Sequence, residues 1–266
     1  MGLFGGDFYA HSLQMTTRIQ VIFPEVSNDV TPVVEGEPRV LYLLHGLAAN
    51  CGEWTRFSKI EYYAKKYNFI IIMPEVQRSF YCDSAYGPKY FTYIADELPA
   101  ICAKWFCITQ DPARTFIAGE SMGGYGAVKA AMRRPKSYNA VATLSGVLDY
   151  PHIAREIIAG NWTDVAKSEL CALHGASGLP APEDDVLALM QAQAQNPNRP
   201  RLIQLCGTED FLYQDNQTFR LQAQKAGYGH TYMEWQGDHE WPFWDVAIQR
   251  AIQFFLQLDM DTTPIY

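Results

Sequence analysis

Ser121 sits in the setting most suited to a reactive side chain. It lies in Gly119-Glu120-Ser121-Met122-Gly123, a match to G-x-S-x-G. The five-residue pattern alone is weak, because chance matches are common. Its flanks add weight: a strand-like run at 115–118 precedes it, and an Ala-rich helical stretch at 122–134 follows, with Pro135 as a stop. That is the strand-turn-helix context of a nucleophile elbow. Glycines at 119 and 123 leave out the β-carbons where strand and helix must approach closely. A structural serine in a Gly-rich turn is the competing reading, and the flanking elements disfavour it.

A serine hydroxyl needs a base to remove its proton during attack, and histidine, with a pKa near neutrality, suits that task. Of the six histidines, His239 has the placement, in Gln236-Gly237-Asp238-His239-Glu240-Trp241 between a strand ending near Trp235 and the last helix. His45 ends a strand before Gly46 and suits the shaping of a loop. His230 begins a strand and belongs at the opposite sheet edge. His11 lacks a suitable position, and His152 and His174 could line a pocket but not act as the base. The imidazolium formed in reaction calls for a carboxylate. Asp210, in the turn after the strand at 201–206, is the choice over Glu209 and Asp215, while Asp238 adjoins His239 but points elsewhere in most loop geometries. The order Ser, Asp, His is that of α/β-hydrolases. Acyl transfer also requires N–H donors for the developing oxyanion. The backbone amide of Met122 supplies one. The loop after the apolar strand at 40–44 supplies the other, from Leu47, with Ala48 as the alternative.

Elements able to position these groups alternate along the chain. Strands are expected at 17–23, 40–44, 69–73, 115–118, 140–144, 201–206 and 230–235, the first alternating as a half-buried strand should and those at 40–44 and 69–73 as continuous apolar runs suited to parallel strands covered on both faces. Helices are expected at 91–105, with Pro99 as a potential kink, and at 122–134, 213–226 and 243–258. This rhythm predicts an α/β fold with a mostly parallel, doubly wound sheet. The stretch 147–199 contains helical pieces and turn residues but no convincing strand. It reads as a helical, cap-like insertion over the sheet edge where ligands bind, against the plainer reading of crossover helices. The whole chain, 1–266, reads as one domain.

Composition narrows the partners. The chain has 266 residues, 48% hydrophobic and 19% charged, with a formal charge of −8. That charge argues against nucleic acid or an anionic membrane surface as partner. No apolar run approaches the roughly 20 residues that span a bilayer. The six cysteines form no CxxC pair and have no histidine cluster beside them, so no metal site is expected, and they read as reduced thiols in a cytoplasmic protein. Trp54, Tyr86, Trp162 and Trp241 fall near predicted loop edges and are candidate pocket residues, although such rings more often serve as core.

Several segments together resemble the esterase D family: LYLLHGL from Leu41, GESMGGYGA from Gly119, CGTEDFLY from Cys206 and DHEW from Asp238. YCDSAYG from Tyr81 and FTYIADELP from Phe91 are similar to its bacterial tributyrin-esterase branch. The resemblance covers about residues 12–258. It implies an α/β-hydrolase fold with a sheet of about eight strands flanked by helices, the triad Ser121, Asp210 and His239, no cofactor, and often a homo-oligomer. It implies a carboxylesterase acting on small-molecule esters of short acyl chains. S-formylglutathione hydrolases, feruloyl or acetyl-xylan esterases, and mycolyltransferases are relatives. Glu120 occupies a position where relatives vary and reads as deciding nothing. The rival classes are an acyltransferase with the same triad and a non-catalytic binding protein on the same fold.

Overall fold

The computed structural model describes residues 1–25, 30 and 32–260. The strands are β1 (Gly2–Ala10), β2 (Met15–Phe23), β3 (Arg39–Leu44), β4 (Phe69–Pro74), β5 (Thr115–Glu120), β6 (Ala140–Leu144), β7 (Arg201–Gly207) and β8 (Thr231–Trp235). They form one eight-stranded sheet in the order β1-β2-β4-β3-β5-β6-β7-β8. β1 pairs antiparallel with β2, and β2 antiparallel with β4. All other pairings are parallel. This is the α/β-hydrolase arrangement. The central strands β3, β4, β5 and β6 are buried along nearly their whole length, which explains their mostly apolar sequence, with Thr115, Glu120 and Thr143 as buried polar exceptions.

Helices cover both faces. On one side, α1 (Glu53–Phe57), α2 (Ile60–Tyr67) and α10 (Trp241–Phe255) pack around Trp54, Tyr63, Phe116, Trp244 and Phe255. The other side carries α3 (Tyr90–Thr92), α4 (Leu98–Phe106), α5 (Met122–Arg133), α6 (Tyr150–Ala159), α7 (Lys167–His174), α8 (Val186–Gln193) and α9 (Tyr213–Ala226). α3 runs into α4 through a π-helical turn, Tyr93–Glu97. Pro99, which lacks an N–H, sits at the start of α4, so the expected interruption takes the form of a local rewinding at the turn before it. α9 ends at Gly227, whose φ of 71° gives the left-handed cap that glycine tolerates best.

Between β6 and β7, residues 147–199 hold α6, α7, a short 3₁₀ turn (Pro182–Asp184) and α8, and no strand. α8 packs on α5 and α9 as a crossover helix would, whereas α6 and the following loop reach the edge where the strands end. No helix among the described residues is long and apolar enough to cross a membrane.

Candidate active site

Four loops leave the C-terminal ends of parallel strands β3, β5, β7 and β8 and meet at one sheet edge, where open α/β sheets bind ligands. At the end of β5 the chain turns sharply into α5, and Ser121 holds φ 53° and ψ −119°. A non-glycine residue there is strained, at a cost of about 1–3 kcal/mol. Backbone bonds hold it in place: Ser121 N–H donates to the Leu144 carbonyl at 2.9 Å, and the Ser121 carbonyl accepts from Tyr125 at 3.1 Å and Val147 at 3.2 Å. The turn is tight enough that a β-carbon on Gly119 would strike the Gly123 backbone, and one on Gly123 would strike Leu44 and His45.

The loops after β7 and β8 are tied to each other. Thr208 N–H donates to the Trp235 carbonyl and Glu209 N–H to the Gly237 carbonyl, both at 3.0 Å. That lacing brings Asp210 and His239, 29 residues apart, into contact. His239 Nδ1 lies 2.9 Å from Asp210 Oδ2 and 3.0 Å from Oδ1, and His239 Nε2 lies 2.9 Å from Ser121 Oγ. The Asp210 carboxylate is fully buried and also accepts the Leu212 N–H at 2.8 Å. The rival acids are engaged elsewhere. Asp238 accepts the backbone N–H of His239, Glu209 accepts from Gln236, and Asp215 faces His152. The arrangement can take a proton from the Ser121 hydroxyl onto an imidazole whose other nitrogen is held by a carboxylate.

Met122 opens α5, so its N–H has no carbonyl four residues back in the helix and stands at the positive end of the helix dipole. Leu47 N–H finds no acceptor among the described residues, and Leu47, Ala48 and Ala49 line a cleft of about 220 Å³ with Glu53, Glu120, Ser121, His239, Trp241 and Trp244. Ala48 adopts a left-handed φ of 62° in this loop.

The four candidate pocket rings separate. Trp241 lines this cleft. Trp54 does not: it is fully buried beneath Trp241, ring centroids 5.1 Å apart, and its indole N–H donates to the Leu44 carbonyl at 3.2 Å, because α1 tucks it under the sheet edge. Tyr86 is 78% exposed and lines neither this cleft nor the neighbouring one. Trp162 lines that neighbouring pocket of about 490 Å³ with His152, Glu156, Asp164, Phe211 and Asp215. Phe211 joins the two cavities' surroundings, its ring 4.5 Å from His239 and 5.6 Å from Trp162. His174 is buried and bonded to the Tyr150 hydroxyl at 2.8 Å, so it lines neither cavity.

Glu120, given no role in the sequence, has a buried carboxyl that accepts the Gly46 N–H. Burial pushes that carboxyl well above the usual carboxylate range. Phe211 and Trp244 also went unsingled in the sequence. Phe211 follows Asp210 directly, and Trp244 lies one helical turn beyond Trp241, spacings that could have marked them.

Two clusters among the described residues bring three metal-ligating atoms together: Cys82, His174 and Asp184, and Asp149, His152 and Asp215. The first already holds a buried cation, since Lys129 Nζ pairs with Asp184 and lies 2.9 Å from the Tyr81 carbonyl and 3.1 Å from Cys82 Sγ. Burial pushes the Cys82 thiol up to about 11, so it is protonated there. The second lies on the rim of the larger pocket.

Sheet order, elbow and converging side chains define an α/β-hydrolase built for acyl chemistry. The family described as Putative esterase matches residues 10–255, and the chain belongs to it. The protein is a serine carboxylic ester hydrolase. It is 30% identical to an acetyl esterase of Caldicellulosiruptor saccharolyticus over 93% of this chain and 96% of that one. It is similar to the substrate-bound fluorophosphonate-binding serine hydrolase F of Staphylococcus aureus, with a TM-score of 0.83, 30% identity and coverage of 96% and 98% of the two chains. An S-formylglutathione hydrolase of Staphylococcus aureus aligns with a TM-score of 0.82 and 29% identity over 96% and 98%.

Proposed function

We propose that this single-domain enzyme hydrolyses esters of short acyl chains through an acyl-enzyme on Ser121. The observation that carries the assignment is the 2.9 Å contact between Ser121 Oγ and His239 Nε2, with Nδ1 held by Asp210. Ser121 Oγ bonds to the ester carbonyl carbon while its proton passes to His239 Nε2. The carbonyl pair moves onto oxygen, which the Leu47 and Met122 amides receive. Collapse breaks the bond to the alcohol oxygen, which takes the proton from His239. Water then repeats the sequence and releases the acid, restoring Ser121.

The small cleft, closed by Trp241 and Trp244, supports the short-acyl preference. The name of the acetyl esterase relative points the same way. Glu156, Asp164 and Asp215 around the larger pocket weigh against glutathione, which carries two carboxylates of its own. Trp162 and Phe211 favour a second reading, in which that pocket takes a flat phenolic group such as feruloyl. Six free cysteines support a reducing, cytoplasmic setting.

The test is a panel of acetyl, butyryl, octanoyl and feruloyl esters with S-formylglutathione, run on the wild type and Ser121→Ala. Acetyl and butyryl esters should lead, and Ser121→Ala should lose turnover while keeping its melting temperature. Unchanged turnover in Ser121→Ala would overturn the assignment, and a lead by octanoyl or the thioester would overturn the substrate class. Product analysis with an added acceptor alcohol separates hydrolysis from acyl transfer.

A further inference from the structure

Glu120 is buried beside the nucleophile, yet it takes no part in the proton path from Ser121 to Asp210. Its Oε1 accepts the Gly46 N–H. Its carboxyl also occupies the space that a side chain at position 46 would need, for a β-carbon built on Gly46 meets Glu120 before any other residue. β5, which ends at Glu120, lies directly beside β3, which leads into Gly46, with Leu44 opposite Gly119.

The other side of Gly46 is held by His45. Val76 N–H donates to His45 Nε2 at 3.1 Å, so the ring proton resides on Nδ1, which donates to the Gly46 carbonyl at 2.8 Å. That carbonyl shares a planar trans peptide with the Leu47 N–H, and the two point in opposite directions. Drawing the carbonyl toward His45 therefore turns the Leu47 amide away from it. The Gly46 turn is held by its N–H at Glu120 and by its carbonyl at His45.

We propose that Glu120 is a positioning residue for the oxyanion hole: its carboxyl pins the Gly46 turn to the strand end that carries Ser121 and so fixes the spacing of the Leu47 and Met122 amides. The inference rests on the esterase reading above. Electrostatics are consistent with the role. A charged carboxylate at position 120, next to the nucleophile in the chain, would oppose a developing oxyanion, and burial, with the Glu53 carboxyl nearby, holds the Glu120 proton well above the usual carboxylate range. A neutral carboxyl keeps the bond to Gly46 without the opposing charge.

The test compares wild type, Glu120→Gln and Glu120→Leu for kcat and KM on 4-nitrophenyl butyrate and for inhibition by a trifluoromethyl ketone, which forms a tetrahedral oxyanion on the serine. Glutamine retains a carbonyl acceptor and should keep turnover within about fivefold. Leucine removes the acceptor at similar volume and should lower kcat on the order of 100-fold with KM within about threefold, the size of losing one oxyanion donor. Its inhibition constant should rise in proportion to the loss in kcat/KM. Gly46→Ala, which displaces the carboxyl, should cost at least about tenfold in the native background but under about threefold further when added to Glu120→Ala, because both changes remove one contact. A Glu120→Leu enzyme with lowered melting temperature but native turnover and inhibitor affinity would overturn this inference alone. So would glutamine losing as much as leucine. A wild type that neither hydrolyses the esters nor takes a fluorophosphonate would overturn the esterase reading and this inference with it.

Discussion

The ring of Phe211 lies against the ring of His239, centroids 4.5 Å apart, and forms part of the wall of the 490 Å³ pocket on its far side. Phe211 thus stands between the candidate base, His239, and the larger pocket. Phe211→Ala should open the small cleft toward the larger pocket. We expect kcat/KM for an octanoyl ester relative to a butyryl ester to rise roughly tenfold, within the range that pocket-shape changes give. Parallel losses on both esters would show that the ring only supports His239.

Asp210 is fully buried and holds His239 Nδ1 at 2.9 Å. In Asp210→Asn the amide can donate to Nδ1, which favours the tautomer with its proton on Nε2 and leaves Ser121 without an acceptor. The expected fall in kcat is on the order of 10³–10⁴. Steady-state kinetics beside a melting curve check it, and a loss below tenfold would remove Asp210 from its role.

Trp54 serves the scaffold. It is fully buried, stacks edge-on under Trp241 and caps the end of β3 through the Leu44 carbonyl. Trp54→Ala should cost about 3–5 kcal/mol of stability, as large aromatic truncations in cores do. Denaturant unfolding measures this. A change under about 1 kcal/mol would mean the site beneath Trp241 refills.

Glu120 makes stability depend on pH in a definite direction. Its folded carboxyl keeps its proton well above the usual range, because of burial, whereas the unfolded chain releases it near about pH 4.3. Above that pH the folded state binds more protons, so this group's contribution to stability falls as pH rises, by at most about 1.4 kcal/mol per unit, until the folded pKa is passed. Glutamine has no proton to lose. The stability of Glu120→Gln relative to wild type should therefore grow with rising pH over a window that opens above the unfolded pKa and closes at the raised folded one. A constant difference across that window, by urea unfolding, would contradict the buried neutral acid.

The sheet was legible wherever a strand is buried on both faces. β3 and β4 appear in the sequence as continuous apolar runs, and these two with β2, β5, β6, β7 and β8 have expected ends within two residues of those observed. β1 was missed because it lies on the sheet edge, where exposed Leu3 and Phe4 and three glycines obscure alternation. α1 and α2 were missed too. α1 has five residues and α2 has eight, lengths over which helical periodicity barely registers.

By itself, the sequence determined the order of chemistry-bearing residues and the turns that carry them: Ser121 between a strand and a helix, Asp210 and His239 after later strands, Gly46 after an early one. Those are local features, set by chain direction and turn chemistry. Only the tertiary structure decided which rings face a cleft and which lie beneath it, and that Glu120 reaches Gly46, 74 residues earlier in the chain. Such contacts depend on which strands become neighbours and how far each side chain is drawn from water. A linear pattern records neither.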